Sequence, residues 1–223
     1  MILSGADISA MWVSLELAFL ATAILVALGA PLAWWLARSC WRWKFLIEAL
    51  ISLPLVLPPT VLGFYLLIAL SATGPLAAIG IAPLAFSFPG LIIGSCIYSA
   101  PFVIQPLRNA FAAMGTRPLE AAATLRAGPL DRFFSIILPL ARPGILTACV
   151  LGFAHTLGEF GVVLMIGGNI PGRTRVLSIA IYDHVEALEY ANAHVLSAGL
   201  LIFSFILLLV VHAANRSSAL VRP

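Results

Sequence analysis

The chain has 223 residues, 62% of them hydrophobic and only 9% charged, with a net charge of +3 and a mean hydropathy of +1.09. A water-soluble domain carries about a quarter charged residues, so this composition excludes one and predicts an all-α, polytopic integral membrane protein. The positive charge is too small and too scattered for nucleic-acid binding.

Apolar stretches long enough to cross a ~30 Å hydrocarbon core at 1.5 Å per residue fall at 12–37, 46–70, 88–107, 143–166 and 194–214. The first is too long for the h-region of a signal peptide and no small-x-small cleavage site follows it, so it reads as a true membrane helix. Arg38 and Ser39 ahead of Cys40 rule out a lipobox. Trp34, Trp35, Trp41 and Trp43 at the end of that span read as an interfacial aromatic belt. The second span contains Pro54, Pro58 and Pro59, followed by Thr60. Prolines remove backbone donors and prevent a straight helix, and such a break survives in a membrane only where protein or a water-lined cavity satisfies the freed carbonyls. A pore-facing or helix-contact position is therefore expected there.

Basic residues orient the set. Arg38, Arg42, Lys44, Arg108, Arg117, Arg126, Arg132, Arg142, Arg216 and Arg222 lie on one side, and only Arg173 and Arg175 on the other, which accounts for all 12 Lys and Arg. The positive-inside rule then puts the N-terminus outside and the C-terminus in the cytoplasm. Between spans four and five, Val176, Ile179, Ala180, Val185 and Leu188 alternate with Asp183, Glu186 and Glu189, the pattern of a short amphipathic helix at the outer face. Cys40, Cys96 and Cys149 have no CxxC spacing and read as small buried hydrophobes. No repeat, low-complexity segment or linker divides the chain, so residues 1–223 are expected to form a single transmembrane domain.

The polar island at 117–139 is the most informative stretch. Glu120, Ala121 and Ala122 are followed by Arg126, then by Gly128 and Pro129, then by Ile136, Leu138 and Pro139. Residues 119–125 are strong helix formers; Gly128 and Pro129 are expected to stop that helix and start the next, and Pro139 to end the second before the membrane is re-entered. The spacing resembles the EAA loop of ABC importer permeases, whose pattern is E-A-A, three residues, G, nine residues, I-x-L-P. Every element is in register except the glycine, whose slot holds Arg126. The stretches Leu53–Tyr65, Gly158–Gly161, Gly167–Thr174 and Leu177–Asp183 look like the molybdate permease family, with sulfate and tungstate permeases as near neighbours.

That resemblance implies a type I ABC importer permease fold with a cytoplasmic helix-turn-helix coupling loop in a bacterial inner membrane. It also implies a homodimer of permeases, two ATP-binding subunits and an extracytoplasmic oxyanion-binding protein, with molybdate, or else sulfate or tungstate, as cargo. A lone channel or intramembrane enzyme outside the ABC class is the more distant alternative. Lys44 is the single lysine, so no GxxxxGK[ST] phosphate loop exists and no cofactor is expected on this chain; ATP and magnesium belong to the partner ATPase.

Glu159, between Gly158 and Gly161, is an intramembrane carboxylate and a functional suspect. It would repel a dianion, which favours a structural use: bonding backbone amides freed at the glycine break, or pairing with Arg173 or Arg175. A gate element is the alternative. Path or gate candidates are therefore Pro54, Pro58, Pro59, Thr60, Gly158, Glu159 and Gly161. Glu16 and Glu48 are expected to snorkel or pair locally. His155, His184, His194 and His212 share no metal-ligand spacing; Ser95, Ser197 and Ser204 are expected to bond backbone or neighbouring helices. No catalytic residue is expected.

Overall fold

The computed structural model describes residues 3–219, and Arg222, counted above on the inner side, lies outside them. The order is α1 (Gly5–Arg38), α2 (Lys44–Ser52), a 3₁₀ turn (Leu53–Leu55), α3 (Pro59–Leu70), α4 (Pro75–Ala78) and α5 (Phe88–Ala113). Then come α6 (Arg117–Thr124), α7 (Pro129–Arg132), a π turn (Phe133–Ile137), α8 (Leu138–Leu157), α9 (Gly161–Gly167), α10 (Leu177–Glu186) and α11 (Tyr190–Ala219). Five helical stretches are long and apolar enough to span a membrane: Gly5–Arg38, Pro59–Ala78, Phe88–Ala113, Pro129–Leu157 and Tyr190–Ala213.

Two boundaries differ from the sequence expectation. The second span is not one helix over 46–70: the chain leaves α2 at Ser52, makes a single 3₁₀ turn through Pro54, and restarts at Pro59 with Pro58 as the extended residue before it. Proline at the first helical position suits a fresh start, because its missing N–H would have had no intrahelical partner. The fourth span begins much earlier than 143 and stops at Leu157, where Gly158 and Glu159 interrupt it before α9.

The centre is a three-helix packing of α1, α5 and α8. Small residues line the seams: Ala10, Ala18, Ala21 and Ala33 of α1, and Ala141 and Ala148 of α8, are all buried. Such residues let backbones approach where no hydrophobic effect drives helices together. Leu25, Leu36, Val103, Leu107 and Phe111 fill the inner half of this core, and Val13, Leu17, Leu91, Val163 and Ile179 the outer half. α11 lies at the rim, with Leu201 and Phe205 exposed.

The ends are tied by polar contacts. Ser4 and Asp7 form a capping box at the start of α1, with bonds of 2.9 and 3.1 Å. Asp7 also meets His184 of α10 at 3.0 Å, and Glu189 holds the other ring nitrogen at 2.8 Å. The hydrogen bond to Asp7 raises the His184 pKa above its ordinary value. The amphipathic outer helix is present as α10, but only its first half packs: Leu177, Ile179 and Ala180 are buried, whereas Val185 and Leu188 stay exposed. At the inner end, Arg38 stacks on Trp34 and donates to the Gly115 carbonyl at 2.8 Å, and Glu48 pairs with Arg108 at 3.0 Å. Trp35, Trp41 and Trp43 are exposed, as a belt requires. Cys40 is exposed rather than buried, because α1 has already ended at Arg38; Cys96 and Cys149 are half-buried.

Gly144 marks the closest approach of α5 and α8: an added Cβ would stand 2.2 Å from the Ala110 Cβ. A methyl there has no flexible neighbour to displace. Gly144→Ala is expected to cost about 1–3 kcal/mol and to lower the unfolding midpoint in detergent. Gly199→Ala, where nothing lies within 4 Å, leaves the midpoint unchanged; equal midpoints for the two variants would refute the packing described.

Candidate functional site

The polar island folds as an elbow. α6 carries Glu120 exposed in its first turn and buries Ala122, and its end is built on Arg126 rather than on Gly128. Arg126 has φ +58°, the left-handed conformation usual for glycine at this position. Its N–H donates to the Ala123 carbonyl at 3.0 Å and that of Ala127 to the Ala122 carbonyl at 3.1 Å, the paired bonds of a Schellman ending. The turn is therefore as tight as a glycine would make it, and the departure from the EAA pattern is absorbed as backbone strain of about 1 kcal/mol. Gly128 serves instead as the extended residue before α7, with Pro129 first in that helix. Arg132 donates to the Ala127 carbonyl and Ser135 to Asp131, each at 2.8 Å, so the second arm is braced from within.

Pro139 does not end the second arm. The chain stays helical from Pro129 to Leu157, with Leu138 bonding back to the Phe133 carbonyl across a π turn. A proline ring clashes with the carbonyl four residues earlier; the widened turn just before Pro139 relieves that clash without breaking the helix. The fourth span thus begins inside the elbow, and 29 residues of continuous helix, about 43 Å at 1.5 Å per residue, join it to the Gly158 break.

At the far end of that helix lies a cavity of about 560 Å³. Pro59 and Thr60 from the start of α3, Gly158 and Glu159 from the break, and Gly161 from α9 line it together. Two of the seven path candidates lie elsewhere. Pro54 is buried in a separate crevice beside Leu62 and Cys96, and Pro58 sits exposed ahead of α3. The cavity adds two residues that spacing rules for metals or catalysis did not single out, Tyr98 and His155. His155 stacks on Phe102 with centroids 3.9 Å apart, and its Nδ1 meets the Ser99 hydroxyl at 2.8 Å, which in turn meets Thr156 at 2.9 Å. The signal that could have found it is proximity in sequence: His155 precedes the Gly158 break by three residues.

Both structural roles expected for Glu159 fail. Glu159 is 3% exposed, and among the described residues its carboxyl bonds neither a backbone amide nor an arginine; the Ser95 hydroxyl of α5 is the group set against it. Arg175 is already engaged by Asp183 at 2.9 Å, and Asn169 binds the same carboxylate at 2.8 and 3.0 Å, which fixes the Gly167–Thr174 loop. The backbone of Glu159 is held, its carbonyl by the Ser178 hydroxyl and its N–H by the Thr156 carbonyl. Thr22 of α1 keeps a hydroxyl oxygen without a hydrogen bond among the described residues. The break thus leaves a buried acid at the wall of a cavity, held by no backbone amide and no arginine.

Residues 26–223 match the family of binding-protein-dependent transport system inner membrane components. The chain belongs to that family. It is 56% identical to the molybdenum transport system permease protein of Azotobacter vinelandii over 97% of this chain and 98% of that protein. It is 33% identical to a sulfate transport system permease protein of Synechococcus elongatus, over 95% of this chain and 77% of that one. Among solved structures, a bacterial ABC transporter for alginate import superposes with a TM-score of 0.73 over 99% of this chain and 82% of that one at 20% identity, a likeness of fold. The permease fold of such importers is therefore the fold here, with five apolar helices long enough to span a membrane among the described residues.

For this family member, Glu159→Gln replaces a buried carboxyl with a neutral group of the same shape that can still accept from Ser95. Because no bond is lost and a desolvation cost is reduced, the unfolding midpoint is expected to hold or rise while uptake falls several-fold. A clear drop in the midpoint would reveal a structural partner and overturn the assignment of Glu159 to the cavity wall.

Proposed function

We propose that this chain is the permease subunit of an ATP-driven importer, that two copies form the membrane path, and that the cargo is molybdate. Two ATP-binding subunits dock on the elbows, through Glu120, Ala121, Ala122, Arg126, Gly128 and Pro129 on the outer turns and Ile136, Leu138 and Pro139 on the second arm. An extracytoplasmic oxyanion-binding protein delivers cargo at the outer face. ATP and magnesium are bound by the ATPase subunits, and this chain performs no hydrolysis.

The observation that carries the reading is the unbroken helix from Pro129 to Leu157, with the elbow at one end and the lined cavity at the other. Closure of the ATPase subunits would draw the elbows together, and a rigid helix would carry that displacement to the Gly158 break, switching the cavity from inward to outward access. The cavity is open on one side, which suits completion by a second copy. Its polar lining is hydroxyls, an imidazole and an acid, without Lys or Arg; weak contacts of that kind allow an anion to leave as well as enter. The strong likeness to the molybdenum permease of Azotobacter favours molybdate over sulfate. The N-terminus lies outside and the C-terminus in the cytoplasm.

The reading is tested in proteoliposomes. Molybdate accumulation is expected only with ATP, the ATPase subunits and the binding protein all present. Preferred accumulation of sulfate or tungstate would reassign the cargo, and uptake by the chain alone would remove it from the ABC class. Orientation is tested on the native cysteines: a membrane-impermeant thiol reagent should label exposed Cys40 from the cytoplasmic side only. Labelling from the outside would invert the topology.

A further inference from the structure

At the turn itself, apart from Arg117 and Glu120 on α6, one charge is left unused by the fold of the elbow. Arg132 is spent on the Ala127 carbonyl and Asp131 on the Ser135 hydroxyl. The Arg126 side chain is exposed and makes no hydrogen bond or ion pair among the described residues. It also sits in the strained left-handed conformation at the tip of the turn, where the EAA pattern has glycine. On both sides of the turn stand bare leucines, Leu125 at 82% and Leu130 at 74% exposure. Phe134, a turn further along, is 61% exposed. A non-glycine residue held at positive φ persists where something else compensates the strain, and such outliers concentrate where a chain meets a ligand or partner. Within the elbow nothing offsets it: the Schellman bonds are made by backbone groups alone and would be made equally by glycine.

We infer that Arg126 is an ionic docking contact, a guanidinium framed by Leu125 and Leu130 that enters a carboxylate-bearing pocket on the ATP-binding subunit. This rests on the docking role proposed for the elbow and names the chemistry of the partner's cleft. The occupant is that subunit and not the lipid surface, because the tip presents one arginine between two apolar side chains rather than a cluster of bases with which a peripheral segment would bind anionic headgroups. Planar, always charged and rich in fixed donors, an arginine pairs with a carboxylate in a way that lysine only partly reproduces. Charge complementarity of this kind sets partner choice and salt dependence more than total affinity.

Backbone and charge make opposite predictions at this position, which lets one series of variants decide. Binding of the ATP-binding subunit to the full-length permease in detergent is measured over a range of salt concentrations, for Arg126→Gly, Arg126→Lys and Arg126→Glu. Amide exchange at residues 126 and 127 reports the turn itself. Arg126→Gly is expected to slow exchange, because the strain is relieved, and yet to weaken binding at low salt by about tenfold with a flatter salt dependence. Arg126→Lys keeps most of the affinity, and Arg126→Glu loses more than Arg126→Gly. Binding of Arg126→Gly as tight as that of the parent overturns the inference. Leu125→Asp with Leu130→Asp tests the underlying docking role, since both side chains are exposed and the fold does not need them. Undiminished binding by that double variant overturns the docking role and the Arg126 contact with it.

Discussion

Backbone amides and carbonyls cannot be left bare in hydrocarbon, and this constraint shapes the molecule more than any single contact. The chain interrupts two of its membrane helices, at residues 56–58 and at 158–160, and the two interruptions are placed against each other. Gly161 stands so close to Pro59 that an added Cβ would lie 3.0 Å from the proline ring, and one on Gly63 would lie 2.8 Å from Met165 and 3.2 Å from the Val162 backbone. Two glycines thus let α3 and α9 close on each other. On its other faces α9 is covered completely: Val162, Val163 and Ile166 have no exposed surface. Each break is tolerated because the other element shields it, and the remaining opening between them is the cavity.

From this joint the rest follows mechanically. The π turn keeps the chain helical through Pro139, so under the proposed coupling a displacement at the elbow would be carried along α8 toward Gly158. α1 and α5 pack along it, through alanines and through the close contact at Gly144. The outer loop is pinned at Asp183 and the start of α1 at His184, so the cavity wall is the place where strain can be released.

The sequence disclosed what is local. Apolar length revealed five spans, the proline triplet and the Gly158–Gly161 pair revealed both breaks, and the EAA spacing revealed the elbow. It did not disclose what depends on distant residues. Pro139 looked like a terminator because its clash is local, whereas the π turn that relieves it is a cooperative adjustment of five residues. Arg175 looked available to Glu159 until Asp183, on α10, was seen to hold it. His155 and Tyr98 became cavity residues only when α5 and α8 were brought side by side. The end of α6 was expected at Gly128 and Pro129 but falls on Arg126, because a sequence carries no φ angle and the left-handed arginine was invisible in it.

The central claim is that the space between the two breaks is the path and that the elbow controls access to it. Thr60, exposed on the cavity wall, reports on this directly once Cys40, Cys96 and Cys149 are replaced by alanine and Thr60→Cys is introduced. Its modification rate with a small anionic thiol reagent would be measured from the outer side in the assembled complex, with and without a trapped nucleotide. The account predicts slow reaction in the nucleotide-free state and a large acceleration when nucleotide closes the ATPase subunits. A rate indifferent to nucleotide, or a cysteine unreactive in both states, would contradict it.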